Sequence, residues 1–202
     1  MDNMNNLRDL LRHDVRDLYS AEEQIIDALP AMIDKANHPA LKQALQNHLN
    51  VTQNQKARLE QVRQMLGDSD AESDDSGIFA GLFDTGAKCK GMEGIIDEAQ
   101  KMMKADMSPD VMDAAIAAGA QKVEHYEICG YGTARTYAQQ LGLTEVAQLL
   151  EQTLDEEHEA DEMLTSLAVG GLNQQAENST STYRSDSTPS GTNMSGTGTS
   201  YR

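Results

Sequence analysis

The sequence predicts an all-α protein, four long amphipathic helices packed side by side, and three observations carry that prediction. Apolar residues recur at steps of three and four along four extended stretches, the spacing that keeps one helical face inward. The chain has no Trp and only two Phe against 11 Met, which suits a core of Leu, Ile, Ala and Met rather than packed β-strands. Pro39, Gly67, Pro109 and Gly142 fall at the edges of those stretches, where helices start and stop.

The first helix is predicted over residues 5–35, on the seam Leu7, Leu11, Val15, Leu18, Glu22, Ile25, Leu29, Met32, with Pro30 bending its last turn. The second begins at Pro39, a favoured first helical position, and follows Leu41, Leu45, His48, Thr52, Gln55, Leu59, Val62 and Leu66 as far as Gly67. Ser108 and Pro109 announce the third as cap and first residue, ahead of Met112, Ile116, Ala120, Glu124, Glu127, Tyr131, Ala134, Ala138 and Leu141. Thr144 is expected to cap the fourth, whose seam is Val146, Leu150, Leu154, Glu157, Asp161, Leu164 and Ala168. At about 1.5 Å per residue each helix spans on the order of 40 Å, the length of a bundle. Between the second and third helices, Asp68, Asp70, Glu72, Asp74 and Asp75 read as a solvated loop and residues 92–104 as a short extra helix. Short connections within each helix pair and one long crossover between pairs define a ferritin-like four-helix bundle.

The bundle is assigned to residues 1–171. Residues 172–202 are read as a disordered tail rich in Ser, Thr, Gly and Asn, because from Asn173 onward only Ala176, Tyr183, Met194 and Tyr201 are apolar. With 16 Lys plus Arg against 33 Asp plus Glu, the formal charge is -17. The tail's charges cancel, so the negative excess belongs to the bundle. That balance argues against nucleic acid, whose binding needs a basic face, and against an anionic membrane surface. No apolar run approaches the ~18 residues of a membrane span, and the N-terminus has no signal-peptide pattern. Cys89 and Cys129 form no CxxC motif, and a cytoplasmic protein with reduced thiols is expected.

The informative residues are polar ones in apolar positions. Glu22 lies between Leu18 and Ile25, His48 between Leu45 and Thr52, and Glu124 and Glu127 are one turn apart. Glu157 and Asp161 sit between Leu154 and Leu164, and no Lys or Arg occupies the four seams. Two like charges ~4 Å apart repel by about 4 kcal/mol at an effective dielectric of 20. Such a cluster must be protonated, wetted or neutralised by cations. Acids and a histidine from four facing helices make the arrangement that holds a di-iron or di-manganese centre. Any one of them is equally readable as an edge residue with its head in water; five acids and a histidine on four seams favour the inward reading. The Glu-x-x-His signature of such centres is absent, with Asp155-x-x-His158 only approximating it. His13, His38, His125 and His158 read as surface or edge residues, Tyr126 and Tyr131 as packing residues, and Gly119, Gly130 and Gly132 as sites of close helix approach.

Leu18-Tyr19-Ser20-Ala21-Glu22, His48-Leu49 with Thr52, Lys88-Cys89-Lys90-Gly91-Met92-Glu93-Gly94, Gln121-Lys122-Val123-Glu124-His125-Tyr126-Glu127 and Thr153-Leu154-Asp155-Glu156-Glu157 resemble the bacterial YciE/YciF ferritin-like stress-response family, distantly similar to rubrerythrin. The resemblance covers roughly residues 7–168. It implies a ferritin-like bundle, a homodimer and a di-metal site, with no established reaction. One departure stands out: family members commonly carry Glu one turn after the helix-two His, where this chain has Val51. The expectation is therefore a metal, iron or in its place manganese or zinc, held by Glu22, His48, Glu124, Glu127, Glu157 and Asp161. Glu22 and Glu157 would be terminal ligands, His48 the nitrogen ligand, and Glu124 and Glu127 bridging or terminal. Such a centre would react with O2 or peroxide. The alternative, favoured by Val51, is a non-enzymatic dimeric scaffold with a degenerate site.

Overall fold

Caps written into the sequence set most of the helix boundaries. In the computed structural model, which describes residues 4–67 and 88–186, the Asn6 side chain accepts from the Asp9 amide at 2.9 Å and opens α1, Leu7–Lys35, which continues through Pro30. Pro39 is the first residue of α2, Pro39–Met65, which gives way to Gly67 at a φ of 75°. Ser108 accepts from the Val111 amide at 3.3 Å and starts α4, Pro109–Gln140. Between them α3, Lys90–Met102, is capped by the sulfur of Cys89. The fourth long helix is α5, Thr144–Leu167. Here Thr144 is the first helical residue and not the cap: Leu143 holds the cap position without a side-chain bond, and its amide donates back to the Ala138 carbonyl at 2.9 Å across Gly142.

Helices α1, α2, α4 and α5 form the bundle, α1 and α5 each packing against both α2 and α4. The acidic loop expected at 68–75 lies outside the described residues. Helix α3 returns from the crossover onto α4 and α1. Two long-range pins hold the first hairpin. Asp113 of α4 accepts from the amides of Asn37 and His38 at 2.6 and 2.9 Å, clamping the α1–α2 turn. Arg12 of α1 donates through Nε to the Leu66 carbonyl at 3.0 Å, satisfying an orphan carbonyl at the end of α2. At Gly130 of α4 the Leu18 side chain of α1 packs close to the backbone, since a Cβ there would stand 2.7 Å from Leu18 Cδ2; a Cβ at Gly119 or Gly132 meets no such crowding.

Within residues 172–202, expected to be a disordered tail, the described part through Asp186 is helical. A π-helical segment, Ala168–Leu172, leads into α6, Asn173–Asp186, which packs against α4. Leu172 is the anchor. It is buried in the same half of the core as Ile116 and Met103, and burying one leucine contributes roughly 1.5–3 kcal/mol. Residues 187–202 lie outside the described residues. No described helix is long and apolar enough to cross a membrane.

The core has two apolar halves. One gathers Ile25, Leu29, Leu45, Ile116 and Leu164, the other Leu18, Leu59, Tyr131, Leu150 and Leu154. Glu22, His48, Glu124, Glu127 and Glu157 lie in sequence between members of one half and members of the other, so the polar layer divides the core.

Candidate metal centre

Each long helix of the bundle delivers a polar side chain to that layer. Glu22 from α1, Glu124 and Glu127 from α4, and Glu157 from α5 are at most 2% exposed, and His48 of α2 is nearly buried. One ligand atom from each of His48, Glu124, Glu127 and Glu157 lies within 4.8 Å of the other three. The Nε2 of His48 stands 3.4 Å from Glu124 Oε1. Glu22 is buried alongside but separately held, because the Tyr131 hydroxyl donates to its Oε1. That hydroxyl makes Tyr131 more than the packing residue the sequence suggests.

Asp161 lies at the edge of the layer, partly exposed, and its charge adds to those that raise the Glu124 carboxyl. It accepts from Gln121 Nε2 at 3.1 Å and lies 3.4 Å from Nε2 of the exposed His125. Four residues turn a helix by about 400°, so a residue four beyond Glu157 is rotated about 40° toward the rim.

Burial dominates the electrostatics. Desolvation, then the charge of Glu157, pushes the Glu22 carboxyl well above its ordinary range, and the Tyr131 hydrogen bond opposes this only in part. Glu124 is raised by burial and by the adjoining Glu157, and Glu127 by burial, Glu157 and Glu22. Burial brings Glu157 to about 7. Burial also lowers His48 to about 4, so its imidazole is neutral at pH 7 and keeps a lone pair for a ligand.

No Lys or Arg occupies the four seams, but Arg58 beside the α2 seam brings a positive charge near the layer. It sits one turn beyond Gln55 on α2, and its guanidinium holds Glu156 through two bonds of 2.9 Å. Its charge lowers the carboxyls of both Glu22 and Glu157. A fork reaching from α2 to α5 has no local signature in the chain. A second polar knot holds α3: the Cys89 thiol and the Tyr126 hydroxyl both donate to Asp17 Oδ2, at 3.0 and 2.9 Å. Gly91 belongs to the knot, because a Cβ there would stand 2.7 Å from the Tyr126 ring.

Many polar atoms of the layer lack a hydrogen-bond partner: Glu22 Oε2, His48 Nε2, Gln55 Oε1, Glu124 Oε2, Glu127 Oε1 and both oxygens of Glu157. Each such group left bare costs about 1–3 kcal/mol or more. A neutral imidazole nitrogen among carboxylate oxygens is a donor set that fits iron, manganese or zinc.

Fold and layer together define a class, the all-α bundle with acids and an imidazole buried across its middle. The chain belongs to the family described as a domain of unknown function (DUF892), which matches residues 6–177. It is 40% identical over 176 residues to Protein YciF of Escherichia coli (strain K12), covering 87% of this chain and 98% of that protein. The crystal structure of the E. coli stress protein YciF superimposes with a TM-score of 0.71 at 38% identity, over 84% of this chain and 99% of that one. YcfI from Rhodopseudomonas palustris gives 0.71 at 39% identity, over 81% and 96%. The family read from the motifs is thereby shown.

Proposed function

We propose that this chain binds a divalent transition metal in its core, iron first and manganese or zinc in its place, and serves in a stress response as the E. coli relative's description states for that protein. His48, Glu124, Glu127 and Glu157 are the ligands, with Glu22 poised beside them for a second ion. The observation that carries the reading is the convergence of buried, partnerless oxygens and one imidazole nitrogen from four helices. The raised carboxyls support it, because a dication can replace the protons that otherwise keep such a layer neutral. Bound iron supplies redox exchange with dioxygen or peroxide. The chain's own part is to hold Glu22 in one orientation through Tyr131, to keep His48 neutral, and to tie Glu156 away from the layer through Arg58.

Val51 favours a second reading, a dimeric scaffold whose site has decayed. It faces the same crevice as His48 and Glu124, so a carboxylate there would have reached the layer. Metal analysis of protein purified from iron-supplemented cells, with anaerobic Fe(II) titration by calorimetry, separates the two. About one equivalent or more per chain supports the metal site. A small fraction of an equivalent, with no heat on titration, leaves the scaffold.

A further inference from the structure

Among the described residues, two cavities are lined in part by His48 and Glu124 of the buried layer. The one between α1, α3 and α4 is walled by Ile25, Leu29, Met32, Ile96 and Val123, and its volume of about 20 Å³ admits roughly one water. The one between α2 and α5 is about 170 Å³. It runs from Asn47, Glu159 and Met163, all exposed, past Val51 and Ala160 to the buried Glu124.

We propose that the α2–α5 crevice is the entrance for the cation, with Glu159 as the outer carboxylate that draws the hydrated ion in. The proposal rests on the metal-binding reading above. A dication entering through the first cavity would shed its water against hydrocarbon, with nothing charged to replace it until the end. The crevice has carboxylates at both ends, and its floor carries two partnerless atoms, His48 Nε2 and Glu124 Oε2. Glu156 also lines it but is occupied by both nitrogens of the Arg58 fork. Glu159 pairs with no cation among the described residues, so its charge is open to an arriving ion. At about 170 Å³ the crevice holds an ion with several of its waters, which it can exchange stepwise for protein oxygens.

The experiment follows Mn(II) uptake after rapid mixing with metal-free protein, reading the loss of the free-ion paramagnetic resonance signal. Ala160→Phe narrows the crevice, Glu159→Gln removes its outer charge, and Ala28→Leu fills the apolar cavity instead. Ala160→Phe should slow uptake about tenfold or more, and Glu159→Gln about threefold at low salt, with less dependence on ionic strength than the parent. Both should reach the parent's final occupancy, and Ala28→Leu should load at the parent rate. Slowing by Ala28→Leu alone, or by none of the three, overturns the entrance while leaving the site intact. If circular dichroism shows Ala160→Phe misfolded, Glu159→Gln decides, and a salt-independent parental rate overturns the proposal. A parent that takes up no Mn(II) at equilibrium sinks the site reading and the entrance with it.

Discussion

At the scale of single residues the layer lives on compensation between costly groups. Glu22 is tolerable because Tyr131 donates to one of its oxygens. Tyr131→Phe should therefore destabilise the metal-free protein by about 1–3 kcal/mol, measured by urea unfolding, since a buried carboxyl is left wholly bare. An unchanged midpoint would mean that water replaces the hydroxyl. Val51→Glu tests the converse. Position 51 is one turn beyond His48 and lines the crevice that ends at Glu124, so a Glu there adds a further acid with no base beside it. Its melting temperature in chelator should fall below the parent's, and saturating Mn(II) should raise it by more than it raises the parent. Equal behaviour in both conditions would put position 51 outside the layer. The residue types in the layer were legible as polar interruptions of apolar seams. Asp161, one turn beyond Glu157, was legible in the same way, and it lies near enough to the layer for its charge to raise the Glu124 carboxyl. Arg58 and the Tyr131 hydroxyl were invisible, because their partners lie on other helices and only packing brings them together.

At the scale of elements, caps and breakers made the long helices readable almost to the residue, since Pro39, Ser108 and Pro109 act locally. Thr144 failed as a cap because the turn closes backbone to backbone across Gly142, which leaves Leu143 at the cap position and Thr144 already inside the first turn. Helix α6 was missed for a different reason. Its own residues are polar, and it is held through Leu172, which precedes it, and through a bond from Ser179 to Asp110 of α4. A composition that cannot fold alone says little about a segment that docks. Truncation after Gly171 removes that leucine together with the helix. The melting temperature should drop by roughly 4–8 °C, taking about 2 kcal/mol for the leucine and 2–4 °C per kcal/mol in a domain of this size. Differential scanning calorimetry of the two chains checks this, and equal transitions would show that α6 adds nothing.

At the scale of the whole molecule, proton binding and metal binding compete for one layer. Folding raises the carboxyls of Glu22, Glu124, Glu127 and Glu157, so above the ordinary carboxyl range the folded chain holds protons that the unfolded chain has lost. Stability then falls as pH rises, through about 7 for Glu157. His48 has the opposite slope: with a folded value of about 4 against 6.5, its contribution grows as pH rises between those values and is complete above them. Above pH 6.5 the carboxyls act alone. The melting temperature in chelator should fall by several degrees from pH 6.5 to 8, and Mn(II) should flatten or reverse that decline because it takes the place of the protons. A rising profile in chelator would mean that the acids are already solvated. The knot at Cys89 has a consequence of another kind. Its thiol is 1% exposed and shut behind α3, whereas Cys129 is exposed. Alkylation of Cys89 must wait until α3 lifts from α1 and α4, so in one tube of iodoacetamide the two cysteines should react at well-separated rates. Their ratio, read by mass spectrometry, times how often the crossover comes undone, and the chain thus carries its own clock for the opening of its side.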